Sequence, residues 1–460
     1  MIGGQDFMEK TKVGIVGMGT VGCGVARLLL NYGDRTARHA GRILWLERAV
    51  VRDLSKPRPG VDLAEGILTD DLHEVLDNPE IVAVAQLIGG LEPARSIMLQ
   101  LLESGKNVVT ANKALLAEHG PELFDRARSL GRSIAFEAGV AGGIPIVTNI
   151  SQCLSANQIS SVAGILNGTS NFILTEMEET GADFDSVVAK AQRLGYAEAD
   201  PSMDVDGSDA AQKLAILAHL AFGVRVPWRE IPRRGLASLD PADLRYAEKL
   251  GCRVRMLAVA QAVPEGIELH VSPTLVPIGT PLAEVRGAYN AVSVHGDAVG
   301  SVFFHGLGAG QMPTASAVVA DLIDTVVGRL PITFRTLKLW SDDYAVVSPR
   351  DPGKIPSKYY LRFDVDDRPG VMSQVTGLLG QNEISIAAVI QHPSESPEFE
   401  VPEATPQASE SASGHLNPAK IVPLVIMTHQ TTEKATQDAV SAIAKLDCVH
   451  GECTRLPVTG

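Results

Sequence analysis

The sequence contains 460 residues, of which 45% are hydrophobic and 20% charged, and its formal net charge is -14. This acidic balance excludes nucleic acid and anionic membrane surfaces as expected partners, and no apolar run is long enough to predict a membrane-spanning helix. The five cysteines are scattered without metal-ligand spacing, which indicates a reduced, cytoplasmic chain without structural zinc. The length predicts about two to four domains.

A glycine-rich turn follows the first predicted strand, Lys12–Val16, which comes after a predicted disordered tail at residues 1–10. Gly17 provides the tight turn, Gly19 lets a pyrophosphate approach the backbone, and Gly22 lets the next helix pack on the strand. This strand-turn-helix context predicts a dinucleotide site; a tight turn without a ligand is the alternative. The predicted cofactor contacts here are Gly17, Met18, Gly19, Thr20, Val21 and Gly22.

The second predicted strand, Arg42–Val51, ends at Arg52 and Asp53. An acid at this strand end favours NAD through the ribose hydroxyls, whereas an arginine favours the 2′-phosphate of NADP. Because Arg52 directly follows the strand and precedes Asp53, the sequence favours NADP. A solvated, charged loop is the alternative.

Two further strands end at candidate ligand positions. The strand Ile81–Leu87 runs into a turn at Gly89, and the strand Asn107–Thr110 is followed by Lys113 at the start of a helix. Ligands of open α/β sheets bind at the carboxyl ends of strands, so both turns are expected to face the cofactor. A surface cation is the alternative for Lys113.

The loop from Glu137 to Pro145 follows another predicted strand and is rich in glycine. It offers one carboxylate and several backbone carbonyls, which are hard oxygen ligands suited to an alkali or alkaline-earth cation. A plain turn without a metal is the alternative.

From Ile159 onward the pattern of helices and strands predicts an α+β domain with its own sheet. Its last helix, predicted at Ala317–Gly328, follows the glycine run Gly306–Gly310 and is expected to pack against the first domain. The predicted domain boundaries are 11–150 and 151–341.

The stretch from Ala191 to Gly223 combines five acids and one lysine with an apolar helix. Ser208 is the predicted N-cap, and Asp209 and Lys213, four residues apart, are expected to share one helix face. Burial lowers the pKa of a lysine and neighbouring carboxylates raise it, so Lys213 is a candidate for proton transfer. A solvated acidic loop with one salt bridge is the alternative.

A third module is predicted at residues 358–460, after a linker at 342–357. Its strands and helices follow the order βαββαβ, and the turn Asp367–Val371 opens its first helix. Residues 392–420 contain 15 Pro, Glu and Ser among 29 residues and are predicted to be a disordered insertion. The module resembles an ACT domain, a ferredoxin-like ligand-binding fold.

Nearly the whole chain resembles the homoserine dehydrogenase family in its long form with a C-terminal ACT domain. The α/β fold that this implies has a Rossmann-type NAD(P) domain, a catalytic and dimerisation domain, and the ACT domain. The motifs that carry the resemblance are GMGTVG (17–22), TANK (110–113), EAGVAGGIP (137–145), NGTSNFIL (167–174), AEADPSMDVDGSDAAQK (197–213) and GLGAGQMPTASAVVAD (306–321).

The resemblance implies reversible NAD(P)-dependent hydride transfer between L-homoserine and L-aspartate 4-semialdehyde, in a homodimer or homotetramer with threonine as a possible effector. Lys213 and Lys113 match the catalytic lysines, and Glu198, Asp204 and Asp209 match the acids of the substrate pocket. Further implied cofactor contacts are Arg52, Gly89, Thr110, Lys113 and Gly308. The positions that match sodium ligands are Glu137, Val140, Gly142 and Ile144.

Two alternatives belong to other classes. The first is another two-domain semialdehyde reductase, in which the same lysines serve a different substrate. The second is a non-catalytic amino-acid sensor, against which the presence of Lys113, Glu198 and Lys213 argues.

Overall fold

The structure, a computed structural model, describes residues 9–341, 343, 346–347, 349–391 and 420–459. Among these residues no helix combines the length and the apolarity that crossing a membrane would require. Of the tail predicted at 1–10, residues 1–8 lie outside the described part, and Lys10 already belongs to the first strand. The predicted insertion 392–420 also lies outside it, apart from Lys420.

The N-terminal domain contains one parallel sheet. Its strands are β1 (Lys10–Val16), β2 (Ile43–Val50), β3 (Leu68–Thr69), β4 (Ile81–Gln86), β5 (Asn107–Thr110) and β6 (Ile134–Ala135). Its helices are α1 (Thr20–Asn31), α2 (Gly33–Ala40), α3 (His73–Leu76), α4 (Ala94–Glu103), α5 (Lys113–Ser129) and α6 (Ile146–Thr148). The spatial order is β3-β2-β1-β4-β5-β6, so the strand order reverses between β1 and β4, the point where such sheets bind ligands.

The second domain has an antiparallel sheet covered by helices. Its strands are β7 (Ile159–Ile165), β8 (Cys252–Val263), β9 (Gly266–Pro277), β10 (Tyr289–Gly296) and β11 (Gly300–Leu307), in the order β11-β10-β7-β8-β9. Its helices are α7 (Gly168–Thr180), α8 (Phe184–Leu194), α9 (Ser202–Val205), α10 (Ser208–Phe222), α11 (Pro241–Lys249), α12 (Gln311–Val326) and α13 (Arg329–Leu337). The apolar helix α10 is largely buried against the sheet, as its sequence predicts.

Helix α12 leaves the second domain and packs against α1 of the first. At Gly24 the two helices approach so closely that a Cβ would lie 2.9 Å from the Cβ of Ala315. Gln311 at the start of α12 donates to the carbonyl of Thr20 (3.1 Å). The end of the second domain therefore supports the helix that follows the glycine-rich turn.

The C-terminal module has the predicted βαββαβ order, with one additional two-residue strand before its second helix. Its elements are β12 (Pro356–Asp366), α14 (Val371–Gln381), β13 (Ile386–Gln391), β14 (Ile421–Thr428), β15 (Thr431–Thr432), α15 (Glu433–Ile443) and β16 (Val449–Val458). The sequence predicts a unit separated by a linker, but β16 lies beside β9, with Val458 paired to Leu275. The two sheets therefore continue as one, in the order β11-β10-β7-β8-β9-β16-β12-β14-β13.

A buried ion pair reinforces this junction. Asp243 of α11 is fully buried and accepts from Arg362 Nε (2.7 Å) and Tyr360 Oη (2.9 Å), both on β12. Thr454 of β16 donates to the same carboxylate (3.2 Å). A buried carboxylate requires such partners because water no longer solvates it, so the module docks through specific polar contacts.

Candidate active site

Helix α10 begins with a left-handed residue, which corrects the predicted N-cap. Gly207 is the N-cap, with φ 87°, and Ser208 is the first helical residue. The Asp206 carboxylate accepts from the backbone N–H of Ser208 (2.7 Å). A Cβ at position 207 would lie 2.9 Å from Met256 Cε and 3.1 Å from Val271 Cγ1, so the chain turns sharply where only glycine fits.

Asp209 lies between two lysines from different domains. Its Oδ2 is 2.7 Å from Lys213 Nζ, one turn further along α10. Its Oδ1 is 3.1 Å from Lys113 Nζ, which extends from the start of α5 at the carboxyl end of β5. The predicted shared helix face is confirmed, and the structure brings the cofactor-domain lysine to the same carboxylate.

The two lysines are shifted in opposite directions. Burial lowers the pKa of Lys213, although Asp209 opposes this shift. The charge of Asp209 raises the pKa of Lys113 and outweighs the effect of its burial. Asp209 is itself buried, which alone would raise its pKa, but the two ammonium groups hold the pKa of this carboxyl well below its usual range. Lys213 is therefore the stronger acid of the two ammonium groups.

Asn167 organises the acids and was not singled out from the sequence. Its Nδ2 donates to Asp204 Oδ1 (2.7 Å) and to Asp209 Oδ2 (2.8 Å), while its Oδ1 caps α7 by accepting from the N–H of Ser170. An asparagine between a strand and a helix is the available sequence signal. Burial raises the pKa of Asp204, and the hydrogen bond from Asn167 opposes that shift.

A backbone carbonyl completes the surroundings of Lys213. The carbonyl of Leu166 accepts from Lys213 Nζ (2.6 Å) and from Asn290 Nδ2 (3.0 Å). A Cβ added to Gly308 would lie 2.0 Å from Asn290 Cγ. Gly308, a predicted cofactor contact, therefore packs against the asparagine that shares the Leu166 carbonyl with Lys213.

Glu198 differs from the other acids because its side chain is exposed. It lies close enough to Lys113 for its charge to raise the pKa of that lysine. The structure thus places Glu198 at the rim of the cluster, with Asp204 half-buried and Asp209 buried behind it.

The glycine-rich turn has the space that a dinucleotide needs. Gly17 has φ 102°, and a Cβ on Gly22 would lie 2.1 Å from the carbonyl oxygen of Gly17. A Cβ on Gly19, in contrast, would meet nothing within 4 Å. The turn is therefore closed toward the protein and open at the start of α1, where backbone amides bind anions. The residues present fit a dinucleotide cofactor.

The neighbouring strand ends are tied together by Asn112. Its Nδ2 donates to the carbonyls of Ile88 (2.9 Å) and Gly90 (2.6 Å), which flank Gly89. Thr110 is fully buried and its hydroxyl donates to Gln86 Oε1 (3.1 Å). The side chain of Thr110 therefore supports the strand end from inside the sheet.

The charged loop after β2 presents Arg52 to solvent. Arg52 is exposed, whereas Arg58 folds onto its own loop and donates to the carbonyl of Asp53 (2.7 Å). The Asp53 carboxylate accepts from Ser55 Oγ (2.6 Å), and this hydrogen bond lowers the pKa of Asp53. The acid that would favour NAD is thus engaged locally, whereas the Arg52 guanidinium has no hydrogen-bond or ion-pair partner in the part of the chain that the structure describes.

Glu137 is a buried carboxylate bound only by neutral donors among the described residues. It accepts from the N–H groups of Val147 and Thr148 (both 2.8 Å) and from the hydroxyl of Thr148 (2.5 Å). A second buried acid, Asp321, accepts from the backbone N–H of Glu137 (2.8 Å). Burial raises the pKa of both carboxyls, so a small cation would relieve a real electrostatic cost here.

The other predicted cation ligands lie in the loop that follows Glu137. A Cβ on Gly142 would lie 2.4 Å from the carbonyl oxygen of Gly308, and the carbonyl of Ile144 accepts from the N–H of Ile146 (2.8 Å). Val140 is fully buried. The carboxylate of Glu137 and these backbone carbonyls are oxygen donors, the kind of ligand that alkali cations prefer.

The fold and the site together define a class. An open glycine turn on a Rossmann-type sheet, beside two lysines that share a buried carboxylate, is the arrangement of a nicotinamide-dependent oxidoreductase that moves a proton on and off a substrate oxygen.

Comparisons with known proteins identify the family within that class. The family model for homoserine dehydrogenase matches residues 145–323, that for the homoserine dehydrogenase NAD-binding domain matches 17–137, and that for the ACT domain matches 359–407. The chain belongs to the homoserine dehydrogenase family and is an NAD(P)-dependent oxidoreductase with a C-terminal ACT domain.

Individual relatives extend over nearly the full length. A homoserine dehydrogenase of Pseudomonas aeruginosa is 42% identical over 459 residues, covering 98% of this chain and 99% of the relative. The crystal structure of one from Thiobacillus denitrificans has a TM-score of 0.86 at 42% identity, covering 98% and 99%. A hyperthermophilic archaeal homoserine dehydrogenase in complex with NADPH is 26% identical, with a TM-score of 0.58, and covers 69% of this chain and 98% of that one.

Proposed function

We propose that the chain catalyses reversible hydride transfer between L-homoserine and L-aspartate 4-semialdehyde, with Lys213 as the proton donor. The observation that carries this proposal is the bridge of Asp209 between Lys213 and Lys113. When bound, the nicotinamide supplies the hydride that reduces the aldehyde. Negative charge then develops on the substrate oxygen, and an ammonium group that stabilises and protonates it lowers the barrier.

The individual residues divide this work. Lys213 protonates the oxygen, because burial lowers its pKa and makes proton release easier. Lys113 stays protonated beside Asp209 and stabilises the developing charge at the junction of the two domains. Glu198 and Asp204 bind the substrate ammonium, since an amino-acid substrate needs a carboxylate partner for that group.

The cofactor is held by the turn Gly17–Gly22, with Gly89 and Gly308 on the other sides of the cleft. We infer a preference for NADP, supported by the exposed Arg52 directly after β2. We infer that Glu137 and the carbonyls of Val140, Gly142 and Ile144 hold sodium, whose charge would stabilise the buried acid and the loop next to Gly308.

We further propose that the ACT module is regulatory, that threonine is its effector, and that the chain acts as a homodimer or homotetramer in the cytoplasm. The edge strand β11 supports self-association because Phe303 and Leu307, 37% and 43% exposed, present apolar surface there. The five free cysteines agree with a reducing compartment.

A spectrophotometric assay tests the proposed reaction. Oxidation of L-homoserine is followed with each nucleotide for the unmodified chain, Lys213→Met and Lys113→Ala. Each variant should lose about 10²-fold or more in turnover, the usual contribution of a positioned proton donor, and should still bind nucleotide. Turnover near the unmodified level in either variant would remove that lysine from the mechanism.

A further inference from the structure

A cavity of about 870 Å³ lies between the catalytic domain and the ACT module. One wall comes from β9 and the segment Pro232–Arg234, and the other comes from the start of β12, the start of α15 and the end of β16. Its size is in the range of small-molecule sites. It is separate from the Lys213–Asp209 cluster, none of whose residues line it.

The face of β9 that lines this cavity is polar. Side chains alternate along a strand, and the residues on the lining face are Glu268, His270, Ser272 and Thr274. The Nδ1 of His270 is buried without a hydrogen-bond partner among the described residues, and burial lowers the pKa of His270 to about 4. The wall therefore offers polar groups rather than apolar packing: the imidazole of His270, two hydroxyls, and the carboxylate of Glu268, which is paired with Arg350 of the same cavity.

Charges of both signs border the polar wall. Arg233 is exposed, and Arg234 lies with its Nη2 3.7 Å from Glu433 Oε1. Glu433 also pairs with Arg455 (2.7 Å). Guanidinium groups match a carboxylate and Glu433 matches an ammonium group, so the cavity is complementary to a small zwitterion that also carries a hydroxyl.

We propose that this cavity binds a free hydroxy-α-amino acid, with its carboxylate at Arg233 and Arg234, its ammonium at Glu433 and its hydroxyl at the polar face of β9. The inference rests on the proposed regulation of the enzyme by an amino acid and assigns that effector a site within one chain. This site differs from the Asp367–Val371 turn, which follows the opposite end of β12. The strand between them spans roughly 30 Å at about 3.3 Å per residue.

The segment Pro232–Leu236 links the cavity to the catalytic acids. On one side the N–H of Arg234 donates to the carbonyl of Val271 on β9 (2.9 Å). On the other side the N–H of Leu236 donates to the carbonyl of Val205 in α9 (2.9 Å), next to Asp204.

Val271 provides a second connection, because its side chain packs against Gly207 at the start of α10. A ligand that moves Arg233 or Arg234 therefore acts directly on the two segments that position Asp204 and Asp209. The inhibited enzyme would differ in the placement of these acids.

Calorimetric titration of the full-length protein tests the proposal. L-Threonine is the probe, with L-threonine methyl ester and N-acetyl-L-threonine as matched compounds that lack the carboxylate and the ammonium charge, respectively. The cavity variants are Arg233→Gln, which removes an exposed charge, and Ser272→Leu, which fills the cavity. Arg368→Gln, which changes another exposed arginine, in the ACT turn, is the control.

We expect Arg233→Gln to weaken threonine binding about 10-fold to 100-fold, the effect of one charge-assisted contact, and Ser272→Leu to abolish it. Both matched compounds should fail to bind, and Arg368→Gln should bind normally. The melting temperature of each variant shows whether it folds. If Ser272→Leu does not fold, threonine binding to Arg233→Gln alone decides between the outcomes.

Unaltered binding in the cavity variants, or loss of binding in Arg368→Gln, would overturn the proposal by placing the ligand elsewhere. Absence of threonine binding to a protein that oxidises homoserine would overturn the effector site alone. Absence of homoserine oxidation would instead contradict the proposed function.

Discussion

Asp209 and Lys213 form a salt bridge of 2.7 Å across one turn of α10, on a helix that is otherwise packed into the protein interior. The carboxylate opposes the desolvation of the lysine and raises its pKa relative to burial alone. In the proposed mechanism of aldehyde reduction Lys213 must carry a proton, so we expect turnover to fall as the pH rises through its pKa. The pH profile therefore reports the strength of this pair.

Asp209→Asn should shift the falling limb of that profile to lower pH, because the charge that raises the pKa of Lys213 is gone. It should also lower turnover, since Lys113 loses the same partner. The measurement is kcat/KM for semialdehyde reduction against pH. An unchanged limb would show that Lys213 does not set it; Asp206→Asn, a neighbouring acid that accepts from the N–H of Ser208, is the control.

Glu198→Gln should raise the KM for homoserine about 10-fold or more, the effect of losing a charged partner of the substrate ammonium. The nucleotide KM should hardly change. Asp200→Asn provides a matched exposed acid in the same loop, whose carboxylate is engaged by Ser202. If both variants raised the homoserine KM equally, the general charge of the loop would be responsible.

Arg52→Ala should weaken NADPH binding by about 1.5–3 kcal/mol, the loss of a charge-assisted contact to the 2′-phosphate. NADH binding should stay unchanged, as measured by fluorescence titration. Lys56→Ala, in the same exposed loop, should affect neither nucleotide. Equal weakening of both nucleotides by Arg52→Ala would indicate a structural role.

Asp243→Ala should destabilise the protein by about 3–5 kcal/mol, because Arg362 would be left buried without its partner. Thermal or urea unfolding measures the change. Lys434→Ala, which breaks the surface pair with Asp438, should have no measurable effect. A small effect of Asp243→Ala would mean that water or another acid replaces the carboxylate.

Glu137→Gln keeps one oxygen, which can still accept from Thr148, but it loses the second acceptor, which Val147 uses, and it removes the charge that would hold sodium. We expect the melting temperature of the unmodified protein to be higher in sodium chloride than in tetramethylammonium chloride at equal ionic strength. This difference should disappear in Glu137→Gln. A difference that persists in the variant would place the sodium effect elsewhere.

The local part of the site could be predicted from the sequence. Asp209 and Lys213 are four residues apart on a helix, so their contact follows from helix geometry. The approach of Lys113 follows only from the packing of two domains, which the chain order does not reveal. The N-cap was predicted at Ser208 because serine is a frequent N-cap; close contact with Met256 and Val271 selects Gly207 instead.

The docking of the ACT module could not be predicted for a related reason. Alternating polar residues on β9 resemble the solvent face of an antiparallel sheet, yet they line the cavity between two domains. Likewise, Asp243 resembles an ordinary acid in the first turn of a helix. It belongs to the interface between the catalytic domain and the ACT module only because Arg362 of β12 donates to it.

The position of β16 has a consequence for synthesis on the ribosome. Because β16 is the strand that lies against β9, that edge of the catalytic sheet is unpaired while the residues up to Val458 are still being made. An unpaired strand edge is a site of aggregation, and chains grow at about 5–20 residues per second. The nascent catalytic domain is thus exposed for many seconds, and chaperone demand should fall sharply when β16 emerges.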